Sequence, residues 1–313
     1  MNSNSVIREV DLFNNDLYQF TCSYSYFLQN KHEEQATFEI FFRKYPFNGH
    51  YAIFAGLESV KQFIKTLKFT EEHEDYLRSI FPHMSNEYFT WIKQDFSSKV
   101  TIRGMKEGEI VFANEPILSY TGPLGFVQML ETPFLNLLGF ATLVATNASR
   151  MVKAVNGKKC LEFGTRRAQG PDGALSASQY AYLGGFSGTS NVEAAQKLQI
   201  KCIGTMSHAY VTSFSSLDDV KTFNLGSIQL KERAIEIRKE LGFKTHDGEL
   251  AAFLNFCQAF PNNFTALIDS YSTLESGMLN VVVVGKALIE AGIMNIGIRL
   301  DSGDLCELSK KCR

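Results

Sequence analysis

Lys159-Lys-Cys-Leu-Glu-Phe163 runs directly into Gly164-Thr-Arg-Arg-Ala-Gln-Gly-Pro-Asp-Gly173. The first part reads as a short strand and the second as the turn that follows it. Glycines at 164, 170 and 173 permit positive φ and close backbone approach. The adjacent Arg166 and Arg167 offer planar forks that hold a carboxylate or a phosphate at two points. Composition alone is equally compatible with a solvated arginine pair on a surface turn.

The same order, strand and then polar turn, recurs. Strand-like runs at 201–204, 266–269 and 296–300 each end in polar residues. Helical segments lie between them. One is 228–241, with Glu/Lys pairing on its face. Another is 281–284, where four valines favour a strand but the flanks favour a helix; helix is the reading adopted. Short strands alternating with helices imply parallel βα units, and βα barrels carry their chemistry on the loops after the strands.

Upstream, a long helix is expected over 134–155. The first third mixes α and β. Phe38, Ile40 and Phe42 alternate as in a strand, whereas Leu57, Val60, Ile64 and Leu67 recur at helical spacing. Thr70 reads as an N-cap before Glu71 and Glu72. Val100 and Ile102, then 110–112, read as short strands. The expected organisation is an N-terminal α+β domain over 1–133 and the first part of an α/β barrel over 134–313. A closed eight-stranded barrel takes roughly 250 residues, and the barrel-like part supplies about four strands. Lys310-Lys-Cys-Arg313 falls only a few residues into a helix starting near Asp304. An incomplete barrel is therefore expected.

With 313 residues, 45% apolar and 20% charged, the chain has the mix of a soluble globular protein with a sizeable core. A net charge of -2, with Lys and Arg dispersed, excludes a nucleic-acid footprint. An anionic substrate would need a local cationic cluster. The six cysteines form no CxxC pair and no zinc spacing, which suits reduced thiols. MNSNSVIREV has no apolar signal core. The apolar run 133–149 is interrupted by Asn136, Thr142, Thr146 and Asn147, so it reads as a buried helix. A cytoplasmic protein with no membrane or nucleic-acid partner is expected.

Three further loops carry chemistry. Gly184-Gly-Phe-Ser-Gly-Thr-Ser-Asn191 opens a helix and could hold an anion on free N–H groups, although capping by Ser190 or Asn191 is the simpler reading. Cys202-Ile-Gly-Thr-Met-Ser-His208 places a histidine just past a strand; a lone histidine is more often structural than catalytic. Ile298-Arg-Leu-Asp-Ser-Gly-Asp304 puts an arginine and two carboxylates at a strand end, where Asp301 could accept from a sugar diol or, with Ser302, cap the next helix. Together these elements suggest a phosphorylated sugar substrate and name no reaction.

At these residues the chain resembles the nicotinate phosphoribosyltransferase family. The resemblance rests on Glu162 to Ser178, Gly185-Phe-Ser-Gly-Thr-Ser-Asn191, Gly204-Thr-Met-Ser-His208 and Arg299-Leu-Asp-Ser-Gly-Asp304. It is supported by Asp16-Leu-Tyr-Gln19, Phe42-Arg-Lys44 and Asn114-Glu-Pro116, and it runs from residue 16 to the end. It implies the type II phosphoribosyltransferase fold and a homodimer. It also implies transfer of ribose 5-phosphate from phosphoribosyl pyrophosphate to the ring nitrogen of nicotinate. The products would be nicotinate mononucleotide and pyrophosphate, in NAD biosynthesis, with ATP as co-substrate and Mg²⁺ to neutralise polyphosphate.

The resemblance also implies roles. Tyr18, from the partner subunit, and Phe163 would sandwich the pyridine ring. Arg299 would hold the nicotinate carboxylate, with Thr205 beside it and Arg166 as a second anion clamp. Asp301 would bind the ribose hydroxyls. His208 would be the phosphohistidine. Ser190 stands where the related nicotinamide-using enzymes carry an aspartate, and an uncharged residue there favours the acid as substrate. One family stretch usually reads Asp-Thr-Tyr-Asp-Thr and here reads Asp269-Ser-Tyr-Ser-Thr273, so Ser272 receives no role. The family's 5-phosphate loops would lie beyond residue 313, and little or no product is expected from these residues alone. The alternatives are a non-catalytic chain modulating a full-length partner, and a nicotinamide phosphoribosyltransferase, which Ser190 disfavours.

Overall fold

The computed structural model describes residues 9–313; residues 1–8, most of the segment read for a signal core, lie outside the described residues. The chain divides into two compact units, one ending at Ile203 and the other spanning Gly204–Arg313.

In the first unit, helix α1 (Leu17–Leu28) precedes strand β1 (Gln35–Ile40) and the short β2 (Ala52–Ile53). Helices α2 (Leu57–Thr66), α3 (Glu71–Ile80) and α4 (Asn86–Ile92) follow, then β3 (Thr101–Gly104), β4 (Ile110–Val111) and β5 (Leu118–Pro123). The helical spacing of Leu57, Val60 and Ile64 becomes α2. Thr70 caps α3 as expected, accepting from the His73 amide while the His73 ring accepts from the Thr70 amide. The expected strand at Phe38 and Ile40 is β1. It lies against β5 in an antiparallel sheet of order β1-β5-β3, with Phe38 opposite Tyr120 and their rings stacked 5.6 Å apart. An aromatic core fills the space between sheet and helices, with Tyr88, Phe89, Trp91, Tyr120 and Phe134 all buried.

Helices α5 (Leu124–Val127) and α6 (Glu131–Ala154) continue the chain. The stretch Leu124–Ala154 is long and apolar enough to cross a membrane by length and composition, and half of the tested window is buried inside the protein. Phe134, Leu137, Leu138, Ala141 and Ala145 of α6 are buried, and α7 (Gly170–Leu183) packs along the helix. The unit ends with α8 (Val192–Leu198).

The expected strands at 159–163 and 201–204 shrink to single parallel bridges, Glu162 to Thr189 and Thr189 to Cys202. The reason is local. The Gly164 amide folds back onto the Glu162 carboxylate and the Thr165–Arg167 turn begins at once, so no further residue can extend the ladder. Gly188 is needed beside it, because a Cβ there would sit 2.5 Å from the Lys201 carbonyl oxygen.

In the second unit, helix α9 (His208–Thr212) is followed by a two-residue hairpin pair, β6 (Asn224–Leu225) and β7 (Ile228–Gln229). Then come α10 (Leu230–Glu240), α11 (Asp247–Ala259), β8 (Phe264–Leu267), α12 (Met278–Glu290), β9 (Ile296–Arg299) and α13 (Leu305–Lys311). In place of the expected Glu/Lys pairing on α10, Arg233 meets Glu236, Glu240 and, from α12, Glu290, while Lys231 donates to the Val220 carbonyl. The valines at 281–284 lie in α12, with Val281, Val283 and Val284 buried, so burial and flanking context outweigh β propensity. Strands β8 and β9 pair in parallel with Leu267 opposite Arg299, and α12 is the crossover between them. Both strands therefore point their C-terminal ends the same way.

Candidate active site

In the second unit a polar cluster forms at that shared end. The β8 run Phe264-Thr-Ala-Leu267 is buried at Phe264, Ala266 and Leu267, and Ile268 beyond it is also buried. The chain then emerges at Asp269. The equivalent emergence from β9 is Asp301, two residues past Arg299. Gly277 lets α12 start against this loop, since a Cβ there would fall 2.0 Å from the Ile268 carbonyl oxygen.

The contacts form a chain. Arg299 donates from Nη1 to Thr205 Oγ1 at 3.0 Å and from Nη2 to Asp301 Oδ1 at 3.0 Å. The Asp301 amide donates to Asp269 Oδ2 at 3.2 Å, and Ser302 Oγ donates to the same oxygen at 2.5 Å. His208 Nε2 lies 3.1 Å from Asp269 Oδ1. The Asp269 side chain is 2% exposed and that of His208 44% exposed, so a buried acid backs an accessible imidazole. Burial alone would raise the Asp269 pKa. Hydrogen bonds from Ser302 and His208, the imidazole charge and the Asp301 amide outweigh it and hold the carboxyl below its usual range. His208 is fixed at the first position of α9, whose N-cap Ser207 accepts from the Tyr210 amide.

Four residues singled out in the sequence, Thr205, His208, Arg299 and Asp301, thus come together in one unit. Their hub, Asp269, received no role from sequence reading. Its signal was positional: it stands two residues past β8 as Asp301 stands two past β9. The expected capping of the last helix by Asp301 and Ser302 does not occur. Asp304 caps α13, accepting from the Glu307 amide, because Asp301 is held by Arg299 and Ser302 by Asp269.

In the first unit, Phe163 and Arg166 lie on the exposed loop after Glu162, and Ser190 is half-buried on the second loop. A single carboxylate ties these loops together. Glu162 Oε2 accepts from Ser178 Oγ of α7 at 2.7 Å and from Thr189 Oγ1 at 2.6 Å, and its Oε1 accepts from the Gly164 amide. The Ser190 amide donates to the Glu162 carbonyl at 2.9 Å. Glu162 is the second residue to which the sequence pattern assigned no role. Asn191, not Ser190, caps α8, accepting from the Ala194 amide. That helix has seven residues and its cap is filled, which is the simpler of the two readings of this loop. Tyr18 is the second residue of α1 and is exposed.

Comparison with known proteins places this geometry. The structure of human nicotinic acid phosphoribosyltransferase superposes with a TM-score of 0.84 at 38% identity, over 95% of this chain and 62% of that one. A nicotinate-nucleotide pyrophosphorylase from Pyrococcus furiosus shares the fold, with a TM-score of 0.67 at 20% identity, over 96% of this chain and 61% of that one. The fold is that of the type II phosphoribosyltransferases. Residues 13–139 match the nicotinate phosphoribosyltransferase N-terminal domain and residues 158–273 the nicotinate phosphoribosyltransferase family. The chain belongs to the nicotinate phosphoribosyltransferase family. Nicotinate phosphoribosyltransferase 2 of Arabidopsis thaliana is 44% identical over 96% of this chain, and the Dictyostelium discoideum nicotinate phosphoribosyltransferase is 45% identical over 95%. The chain spans 57% and 52% of the lengths of those two relatives.

Proposed function

We propose that this chain supplies the nicotinate and phosphohistidine chemistry of an ATP-coupled nicotinate phosphoribosyltransferase. The observation that carries the reading is the Arg299–Asp301–Asp269–His208 chain at the ends of two adjacent parallel strands. Arg299 presents a guanidinium braced by Thr205 and Asp301, a planar fork suited to the nicotinate carboxylate. Asp301 keeps acceptor capacity beyond its bond to Arg299 and would take ribose hydroxyls. Its charge also favours the positive character that develops at the anomeric carbon. The nicotinate ring nitrogen would attack that carbon as pyrophosphate departs. His208, with Asp269 behind it, would attack the γ-phosphorus of ATP, breaking the bond to ADP and forming a phosphoimidazole.

The loops tied by Glu162 would contribute Phe163 as an aromatic face, Arg166 as an anion clamp and Ser190 as an uncharged neighbour suited to an acid. Tyr18, exposed on α1, would serve a partner subunit in a homodimer. Residues 1–133 and 134–313 would be the two functional domains, acting in the cytoplasm. Among the described residues no group of three or more His, Cys, Asp or Glu forms a metal cage. Mg²⁺ would neutralise the polyphosphate oxygens, a role that needs no such cage.

Incubation with nicotinate, phosphoribosyl pyrophosphate, Mg²⁺ and labelled ATP tests the reading. Acid-labile phosphate on the chain, lost on His208→Ala, and nicotinate binding tightened by ATP would support it. Absence of both the label and nicotinate binding would overturn it.

A further inference from the structure

Glu249 on α11 is fully buried, at 0% exposure, and the chemistry above makes no use of it. Its Oε2 accepts from Ser276 Oγ at 2.5 Å and from Asn280 Nδ2 at 3.0 Å. Its Oε1 is buried with no hydrogen-bond partner, and so is Oδ1 of the same Asn280. The amide orientation of Asn280 is fixed, because Nδ2 also points at the His246 carbonyl at 3.3 Å and at Ser276 Oγ at 3.4 Å. Two adjoining residues therefore each bury an acceptor atom with no donor. An ionised carboxylate has only acceptors and cannot resolve this, whereas a carboxylic acid adds the missing O–H. Leaving a buried acceptor unpaired is costly, and leaving a buried charge uncompensated is costlier.

We propose that Glu249 is a neutral carboxylic acid in the folded protein and, in that form, the positioning residue of the 269–273 loop. The groups facing its carboxyl are Ser276 and Asn280 from the α12 side, His246 at the start of its own helix, and Asp269 from the β8 loop. Burial pushes the Glu249 pKa up, partly offset by the Ser276 and Asn280 hydrogen bonds, and the like charge of Asp269 pushes further in the same direction. The route to the loop is short. Ser276 Oγ also accepts from the His246 amide at 3.0 Å. The His246 ring stacks on Tyr271 with centroids 3.7 Å apart and planes 17° from parallel. The Ser276 and Gly277 amides close on the Ser272 carbonyl at 3.0 and 2.9 Å. Asp269, which orients His208, is the first residue of that loop. The consequence for phosphoryl transfer rests on the function proposed above; the protonation state and the loop geometry do not.

Glu249→Gln has the shape of the neutral acid and carries its own donor. A neutral Glu249 stabilises the fold fully below the ordinary glutamate value of 4.5, and that contribution is lost as pH rises toward the raised value. The melting temperature of Glu249→Gln should therefore overtake that of the wild-type chain as pH rises from about 5 to about 8. The wild-type infrared spectrum at neutral pH should contain a protonated-carboxyl band that the variant lacks. His246 ring protons, shielded by the Tyr271 face, should keep their shifts in Glu249→Gln. In Glu249→Asp, whose carboxyl cannot reach both partners, they should lose them. His208 labelling should follow the same order, within about threefold for Gln and down at least about tenfold for Asp.

An absent band at neutral pH, or a Gln variant that fails to fold or loses stability most at high pH, would overturn the neutral acid. Unchanged His246 shifts in Glu249→Asp would overturn the positioning role. If no chain labels at all while the band and shifts behave as stated, the transferase reading fails and the assignment of Glu249 stands.

Discussion

His208 Nε2 and Asp269 Oδ1 stand 3.1 Å apart, the imidazole accessible and the carboxylate buried behind it. A carboxylate only accepts, so in the neutral ring Nε2 carries the hydrogen and Nδ1 keeps the lone pair. In the proposed phosphoryl transfer, Asp269 would leave Nδ1 as the nucleophile and stabilise the charge that develops on the ring.

The phosphate is accordingly expected on Nδ1, which phosphorus–nitrogen coupling in a labelled chain would read directly. Phosphate on Nε2 would mean that the Asp269 contact breaks first. Asp269→Asn keeps the shape but not the charge, and the rate of labelling should fall at least about 10²-fold. The pH dependence has a fixed sign. The folded Asp269 pKa is depressed, so its stabilising contribution is present above the ordinary value of 3.8 and is lost as pH falls through the lower folded value. Acid titration should therefore erase the stability difference between wild type and Asp269→Asn.

Arg299→Lys preserves charge and removes the fork. A single ammonium cannot brace against Thr205 and Asp301 while facing a carboxylate at two points. The loss of a charge-assisted bond, about 1.5–3 kcal/mol, predicts a rise of roughly ten- to a hundredfold in nicotinate Kd. Calorimetric titration with nicotinate would check it. His208 labelling by ATP alone should change little, since the Asp269 contact does not pass through the arginine.

The elements with regular periodicity were legible because burial and pattern agreed. Leu57, Val60 and Ile64 mark α2, and Thr70 marks the start of α3; the strand expected at 266–269 lies two residues earlier, as β8. The parallel bridges at Glu162 and Cys202 were overread as strands because apolar flanks resemble a strand, while the turn after Phe163 cuts the ladder short. Strand β5 received no assignment from the sequence, since Gly122 and Pro123 weaken its strand pattern, yet it is the centre of its sheet. In the site, the charged and aromatic residues stood out and the residues that hold them did not. Asp269 and Glu162 act through contacts 61 and 27 positions away in sequence, to His208 and Thr189, and no local pattern encodes such a pairing.

Glu162 should behave as a brace for both loops of the first unit. Glu162→Ala removes the acceptor for Ser178, Thr189 and the Gly164 amide together, leaving two hydroxyls without their charged partner. A rise of roughly tenfold in nicotinate Kd is expected, with a loss of stability of about 1–3 kcal/mol. Nicotinate titration and denaturant unfolding would measure both. An unchanged Kd would show that Phe163 and Ser190 hold their places without it.

Ser190→Asp tests substrate choice at a backbone that should not move. Ser190 is half-buried, its amide is fixed to the Glu162 carbonyl, and Asn191 rather than Ser190 caps the next helix, so the side chain at 190 is dispensable for local structure. A carboxylate at this position would repel the nicotinate carboxylate and leave the neutral amide unopposed. Nicotinate Kd should rise at least about tenfold while nicotinamide binding holds or tightens. Competition between the two ligands in one titration gives the ratio without separate standards. A ratio unchanged from wild type would show that position 190 does not meet the substrate, and the preference for the acid would then rest on Arg299.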